Sequence, residues 1–313
     1  MSDFGVPAAV LAALAGILGL LVVASLATAV LRHRLNEAAH RELRQRVQSW
    51  WVMVTIFAIA IVLSRNVSLA FFAFVSFLAF KEYLSLIPTR RVDRQVIFWA
   101  YLLIPLQYVT IGHAWYGMFV ILVPVYGFLL LPMRMVLLGE TRDFLRAAGT
   151  LHWGLMATVF SLSHVAYLLV LPEAVNAGIG GAGLVLFLVF LTQFNDVAQY
   201  VWGKACGRHK ALPTVSPGKT VEGLVGGVLT TTVLGGLLGE WLTPLSLMES
   251  FLAGLLIGVA GFIGDVTVSA LKRDLGVKDS GSLLPGHGGI LDRVDSLVYT
   301  APLFFHFVYY LHY

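Results

Sequence analysis

The sequence predicts an all-α, polytopic integral membrane protein of about ten transmembrane helices, with both termini on the non-cytoplasmic side. Three observations predict it. Hydrophobic residues make up 58% of the 313 residues and charged residues only 12%, where an ordinary soluble domain has roughly 45–50% and about 25%. Apolar runs close to the ~20 residues that cross a bilayer recur along the whole chain. Every Lys and Arg except Arg65 falls in alternate connecting segments, the pattern that cytoplasmic loops show.

The spans are drawn at 6–31, 50–64, 66–80, 95–112, 115–133, 147–171, 179–203, 220–241, 247–271 and 294–313. The first has no basic residue before it and is too long for an apolar signal core, so it reads as an uncleaved span. Segment 32–49 is polar, with Leu35, Ala39, Leu43 and Val47 at near-helical spacing. It is expected as an amphipathic helix on the membrane surface or as a solvated connector, with Trp50 and Trp51 at the interface. Only Ser64, Arg65 and Asn66 separate the second and third spans, which form a tight hairpin or one distorted element. The next three spans carry few polar groups. In the eighth and ninth, Gly226-Gly227, Gly235-Gly236, Gly254 and Gly258 are spaced for close helix approach. Cys206 is the single cysteine, which excludes an internal disulfide. The formal charge of +4 sits in the short loops, so it calls for no nucleic acid.

The halves differ. Residues 1–189 read as a lipid-facing, structural transmembrane region, and 190–313 as a catalytic one. Asn195 and Asp196 lie eight or nine residues before the inward end of the seventh span, roughly 12–14 Å deep at 1.5 Å per residue. Asp265 lies seven residues before the end of the ninth, roughly 10 Å deep. Ionisable groups at that depth mark a functional site by default, although a hydrogen-bonded structural Asp would look the same. Asp265, Ser269 and Lys272 share one helical face, bordered by Arg273. Asp292, Asp295 and Ser296 stand at i, i+3 and i+4 at the start of the tenth span. The glycine-rich loop between carries Lys278 and His287, and its glycines let backbone N–H groups approach an anion. Carboxylates beside Lys and Arg suit Mg²⁺ bridging phosphates.

A second loop ends in Gly218-Lys219-Thr220. Pro213 replaces the first glycine of a P-loop and no strand precedes it, so a Walker fold is rejected. Ser216 is expected to cap the eighth span, with Pro217 in its first turn and Lys219 beside a phosphate. A capped helix with a topology lysine accounts for the same residues without chemistry.

These residues resemble the signature of the CDP-diacylglycerol synthases, or phosphatidate cytidylyltransferases. The matching elements are Ser269-x-Leu-Lys-Arg273, Lys278-Asp-Ser-Gly281 and Leu284-Pro-Gly-His-Gly-Gly-Ile-Leu-Asp-Arg-Val-Asp295. Asn195-Asp196, Gly207-Arg-His-Lys210, Ser216-Pro217, Lys219-Thr220 and Glu222-Gly223 match upstream, in order. The resemblance covers about residues 190–300. It implies a membrane enzyme joining CTP and phosphatidic acid, or a related lipid phosphate, into CDP-diacylglycerol and pyrophosphate for phospholipid biosynthesis. It implies Mg²⁺ with K⁺ as a second cation, a homodimer, and a site facing the cytoplasm from a bacterial inner membrane. Asp265 and Asp292 are then the metal ligands, with Asp196 a third carboxylate. Lys272, Arg273 and Ser269 complete the catalytic set. Lys219, Ser216, Thr220, His287, Arg293, Lys278 and Asn195 bind substrate phosphates. The chain departs from the family at Val197-Ala-Gln199, where many members have Thr-Gly-Ala, and at Val268, where many have Glu. It also has Val221 where many have Trp. A divergent paralogue acting on another lipid phosphate, a CTP-using lipid kinase, a lipid transporter and a sensor that has kept the fold are the rival readings.

Overall fold

The structure is a computed structural model describing residues 6–32, 36–176, 178–281 and 288–313. Single polar residues set many of its helix boundaries. Helix α1 (Ala8–Leu31) follows Pro7. Helix α2 (Glu37–Leu63) starts at Asn36, whose Oδ1 accepts from the Ala39 N–H at 2.8 Å. No Gly or Pro interrupts 37–63, so the polar segment and the second span form one continuous helix. This corrects the separate surface helix or connector expected there; residues 33–35 of that segment lie outside the described residues. Ser64 is extended (φ −170°, ψ 159°), ends α2, and caps α3 (Arg65–Leu86) by accepting from the Val67 N–H. The second and third spans are thus a tight hairpin of two full helices.

Helix α4 (Arg94–Gly112) leads through Ala114 at positive φ into α5 (Tyr116–Leu137). Pro124 removes a backbone donor inside α5, and the helix widens to a π turn over Leu122–Gly127. Helix α6 (144–168) contains a second π turn, Met156–Phe160. Helix α7 (Gly180–Cys206) is followed by a hairpin of β1 (Lys210–Leu212) and β2 (Ser216–Thr220). Then come α8 (Val221–Leu242), α9 (Leu247–Asp274), the short α10 (Leu291–Val294) and α11 (Leu297–His312). Ser246 and Glu249 form a reciprocal capping box at the start of α9. Among the described residues, eight helices are long and apolar enough to cross a membrane. With α6 and α11 they account for the expected ten segments.

The contacts sort the connections into two ends. At one end, Arg90 reaches the Glu140 and Arg142 carbonyls, Glu82 reaches Leu291, and Arg273 reaches Val215. At the other, Asn176 Nδ2 donates to the Leu242 carbonyl and Glu249 meets His312. The basic connectors therefore gather at one end of the bundle. The core runs without a break from α1 to α11, and residue 190 lies inside α7. The division at 190 therefore falls within one helix of a shared core.

Three helices carry that chemistry, and they pack through glycine. A Cβ added to Gly235 of α8 would sit 2.7 Å from the Gly254 Cα of α9, so the two backbones touch. Thr231 Oγ1 donates to Asn195 Oδ1 at 3.1 Å, and Asn195 Nδ2 donates to the Gly258 carbonyl at 3.1 Å. Asn195 thereby ties α7, α8 and α9 together.

Candidate active site

The site is built at the basic end, where α7, β2, α9 and the 288–296 segment converge. Lys219 leaves β2 and points between two helices. Its Nζ lies 2.6 Å from Asp265 Oδ2 on α9 and 4.0 Å from Asp196 Oδ1 on α7. It also donates to Gln199 Oε1 at 2.9 Å. Burial disfavours the ammonium, but Asp265 and then Asp196 overcome this and raise its pKa above the ordinary lysine value. Asp295 lies within the electrostatic reach of the same ammonium. Ser269 donates to Asp265 Oδ1 at 3.2 Å, as expected for residues on one face four apart. Ser296 Oγ donates to Asp196 Oδ2 at 3.0 Å. The other oxygen, Asp196 Oδ1, is buried without a hydrogen-bond donor. Backbone contact brings α9 against the chain at Asp295: a Cβ on Gly264 would stand 2.6 Å from the Asp295 carbonyl oxygen.

Asp292 forms a second centre. Lys272 Nζ binds its Oδ1 at 2.7 Å, and the N–H groups of Ser280 and Gly289 donate to Oδ2 at 2.8 and 3.0 Å. Burial opposes the charge on Asp292, yet Lys272 and these N–H donors outweigh it and hold the carboxyl below its ordinary value. The glycine-rich loop does present backbone N–H groups, here to an internal carboxylate. Glu82 of α3 braces the same loop, accepting from the Leu291 N–H at 2.7 Å.

The metal candidates Asp196, Asp265 and Asp292 are divided between two lysines. Among the described residues, no group of three or more His, Cys, Asp or Glu is arranged to hold an ion. Asp196 and Asp265 share Lys219, whereas Asp292 is engaged by Lys272.

Other expectations need correction. Ser216 does not cap the eighth span: it lies in β2, and Thr220 is the cap, accepting from the Gly223 N–H at 3.1 Å. Thr220 is thus committed to the helix end. Asn195 is fully buried with both halves of its amide engaged between helices, so a structural clamp replaces the expected phosphate contact. Arg273 is exposed and donates to the Val215 and Val277 carbonyls, which pins the hairpin loop to the end of α9. Lys278 is exposed on the loop. The buried Nε of Arg293 has no hydrogen-bond partner. His287 lies outside the described residues.

Sequence reasoning missed Glu82 and Gln199 as parts of the site. Glu82 sits at the end of a span in the half read as structural, and nothing local signals a partner more than 200 residues away. Gln199 stands out in sequence only as a departure from the family pattern, and the structure gives it Lys219 as partner.

The sequence model of the cytidylyltransferase family matches residues 44–311. The Escherichia coli (strain K12) protein YnbB, described as uncharacterized, is 50% identical over 297 residues, covering 95% of this chain and 97% of that one. A phosphatidate cytidylyltransferase of Synechocystis is 53% identical over 116 residues, which is 36% of this chain and 39% of that enzyme. One from Staphylococcus saprophyticus is 38% identical over 124 residues, 39% of this chain and 48% of that enzyme. The chain thus matches less than half the length of these two enzymes.

Proposed function

Because the chain belongs to the cytidylyltransferase family, we propose that it transfers the cytidylyl group of CTP to a lipid phosphate, phosphatidic acid foremost. A phosphate oxygen of the lipid attacks the α-phosphorus of CTP. The bond from that phosphorus to the bridging oxygen of the β-phosphate breaks, and pyrophosphate leaves with the electron pair. The products are a CDP-lipid, CDP-diacylglycerol in the case of phosphatidic acid, and pyrophosphate. The dianionic phosphate is already a nucleophile, so no general base is assigned. Positioning and charge neutralisation are what the protein must supply.

The observation that carries this reading is Lys219 held between Asp196 and Asp265 on neighbouring helices. Its ammonium can be handed from the carboxylates to a phosphate. Lys272 occupies the equivalent position on Asp292. Two carboxylates supply oxygen donors of the kind a hard divalent cation takes, and Asp196 keeps a buried oxygen without a hydrogen bond. Asp196 and Asp265 would hold Mg²⁺, which when bound neutralises charge on the phosphates. In this reading the basic end faces the cytoplasm, where CTP is. The lipid keeps its chains in the bilayer, and two copies form the homodimer that the resemblance implies.

The spans themselves argue against transport. The outer part of α9, from Phe251 to Gly264, carries no charge, so no polar path crosses the membrane there. Gln199 favours a second reading, a paralogue acting on another lipid phosphate, because it fills space beside Lys219 where the resembled family pattern has Ala. Purified protein given labelled CTP, Mg²⁺ and a panel of lipid phosphates decides between them. A CDP-lipid with equimolar pyrophosphate is expected. Release of CDP would identify a kinase, and absence of product with every lipid would overturn the enzymatic reading.

A further inference from the structure

A cavity with several polar side chains in its lining lies between α1 and α2. It measures about 520 Å³ and is lined by Ser25, Thr28, Arg32, His40, Arg44 and Trp51, among others. That is ample room for a small polar group. The antiparallel hairpin of α2 and α3, with Glu82 near the end of α3, places its mouth at the basic end of the bundle. Trp51 Nε1 donates to Ser25 Oγ at 3.0 Å and braces the two helices. Arg32 and Arg44 are exposed, and among the described residues neither has an ion-pair partner. Glu42, two residues from Arg44 on α2, is taken by Arg46. His40 Nδ1 is buried without a hydrogen-bond partner. Two unneutralised guanidinium groups, an idle imidazole nitrogen and an indole therefore share one concave site.

Guanidinium groups pair with phosphate through parallel N–H donors. Tryptophan prefers the boundary between headgroups and hydrocarbon. On α1, exposed Val22 lies one turn before Ser25, and exposed Val23, Leu26 and Val30 form a neighbouring apolar stripe, which suits acyl chains. The reaction proposed above uses none of these groups. The family match begins at residue 44, so α1 and His40 lie outside it.

We propose that the α1–α2 cavity binds the phosphate headgroup of an anionic phospholipid. Arg32 and Arg44 hold the phosphate, His40 adds a hydrogen bond, and the acyl chains lie along α1. The lipid is a bound companion, distinct from the reacting lipid at Lys219.

The test is retention of phosphatidylglycerol against phosphatidylcholine by the full-length protein in detergent, read by native mass spectrometry. Phosphatidylglycerol is anionic but is not a phosphomonoester, so it reports on this cavity and not on turnover. The wild-type protein should prefer it by about tenfold or more, the equivalent of one charge-assisted hydrogen bond. The double substitution Arg32→Gln, Arg44→Gln should abolish that preference. Ala29→Trp, which fills the cavity and leaves every charge in place, should abolish it as well. Lys219→Met should leave it intact. Inorganic phosphate should not displace the lipid. Equal retention of both lipids by the wild type would overturn the proposal. So would preference surviving either cavity variant, loss of it in Lys219→Met, or displacement by inorganic phosphate, which would mark a soluble-anion site.

Discussion

Lys219 is the residue on which most of the site converges, and it can be tested alone. Lys219→Met leaves Asp196 and Asp265 facing each other without a cation. Cytidylyl transfer is expected to fall by about 100-fold or more, the scale of losing one preorganised electrostatic contact; near-normal turnover would remove Lys219 from the chemistry. Asp292 makes a different prediction. Asp292→Asn leaves Lys272 buried and unpaired, at a penalty of about 3 kcal/mol in folding stability. Because the folded Asp292 pKa is depressed, its stabilisation is complete above the ordinary carboxylate value of about 4. It is lost as pH falls through the depressed value. Thermal unfolding should therefore separate wild type from Asp292→Asn at pH 7, and the gap should close in strong acid. At this scale the sequence was partly legible. Asp265, Ser269 and Lys272 were readable because helical spacing fixes a shared face. The partners Asp196–Lys219 and Glu82–Leu291 were not, because spacing carries no information across elements.

The elements were more legible than their joints. Apolar length alone located the ten rods, since a bilayer sets how long an apolar helix must be. The continuity of α2 was missed because polarity, used as the boundary marker, does not break a helix; only backbone does. The cap of α8 was placed at Ser216, whereas a hairpin carries the chain to Thr220 before the helix begins. Thr220→Ala should lower stability by about 1 kcal/mol, measurable as a fall in Tm with the binding of lipid phosphate retained. Gly264 is a sharper test of the joint between α9 and the 295–296 segment. A methyl group there meets backbone at Asp295 and Ser296, so nothing flexible can yield. Gly264→Ala should cost about 1–3 kcal/mol and separate Asp265 from Asp295, giving loss of turnover with the protein still inserted. A variant with wild-type turnover would show that this contact does not position the site.

For the whole molecule, the proposed side of the basic end rests on the bias of Lys and Arg, and the chain carries its own reporter of it. Cys206 is the single cysteine, exposed at the end of α7. A membrane-impermeant maleimide should label it in inverted vesicles and not in right-side-out cells; the opposite pattern would reverse the proposed orientation. The glycine contacts among α7, α8 and α9 have a mechanical consequence. Where backbones touch, no side chain can change rotamer to absorb a displacement, so these helices resist compression along that seam. Amide hydrogens along that seam should be the last to exchange with deuterium. A substrate arriving at Lys219 would then meet a stiff wall on one side, and any movement that admits it must come from the loops and from the helices that precede α7.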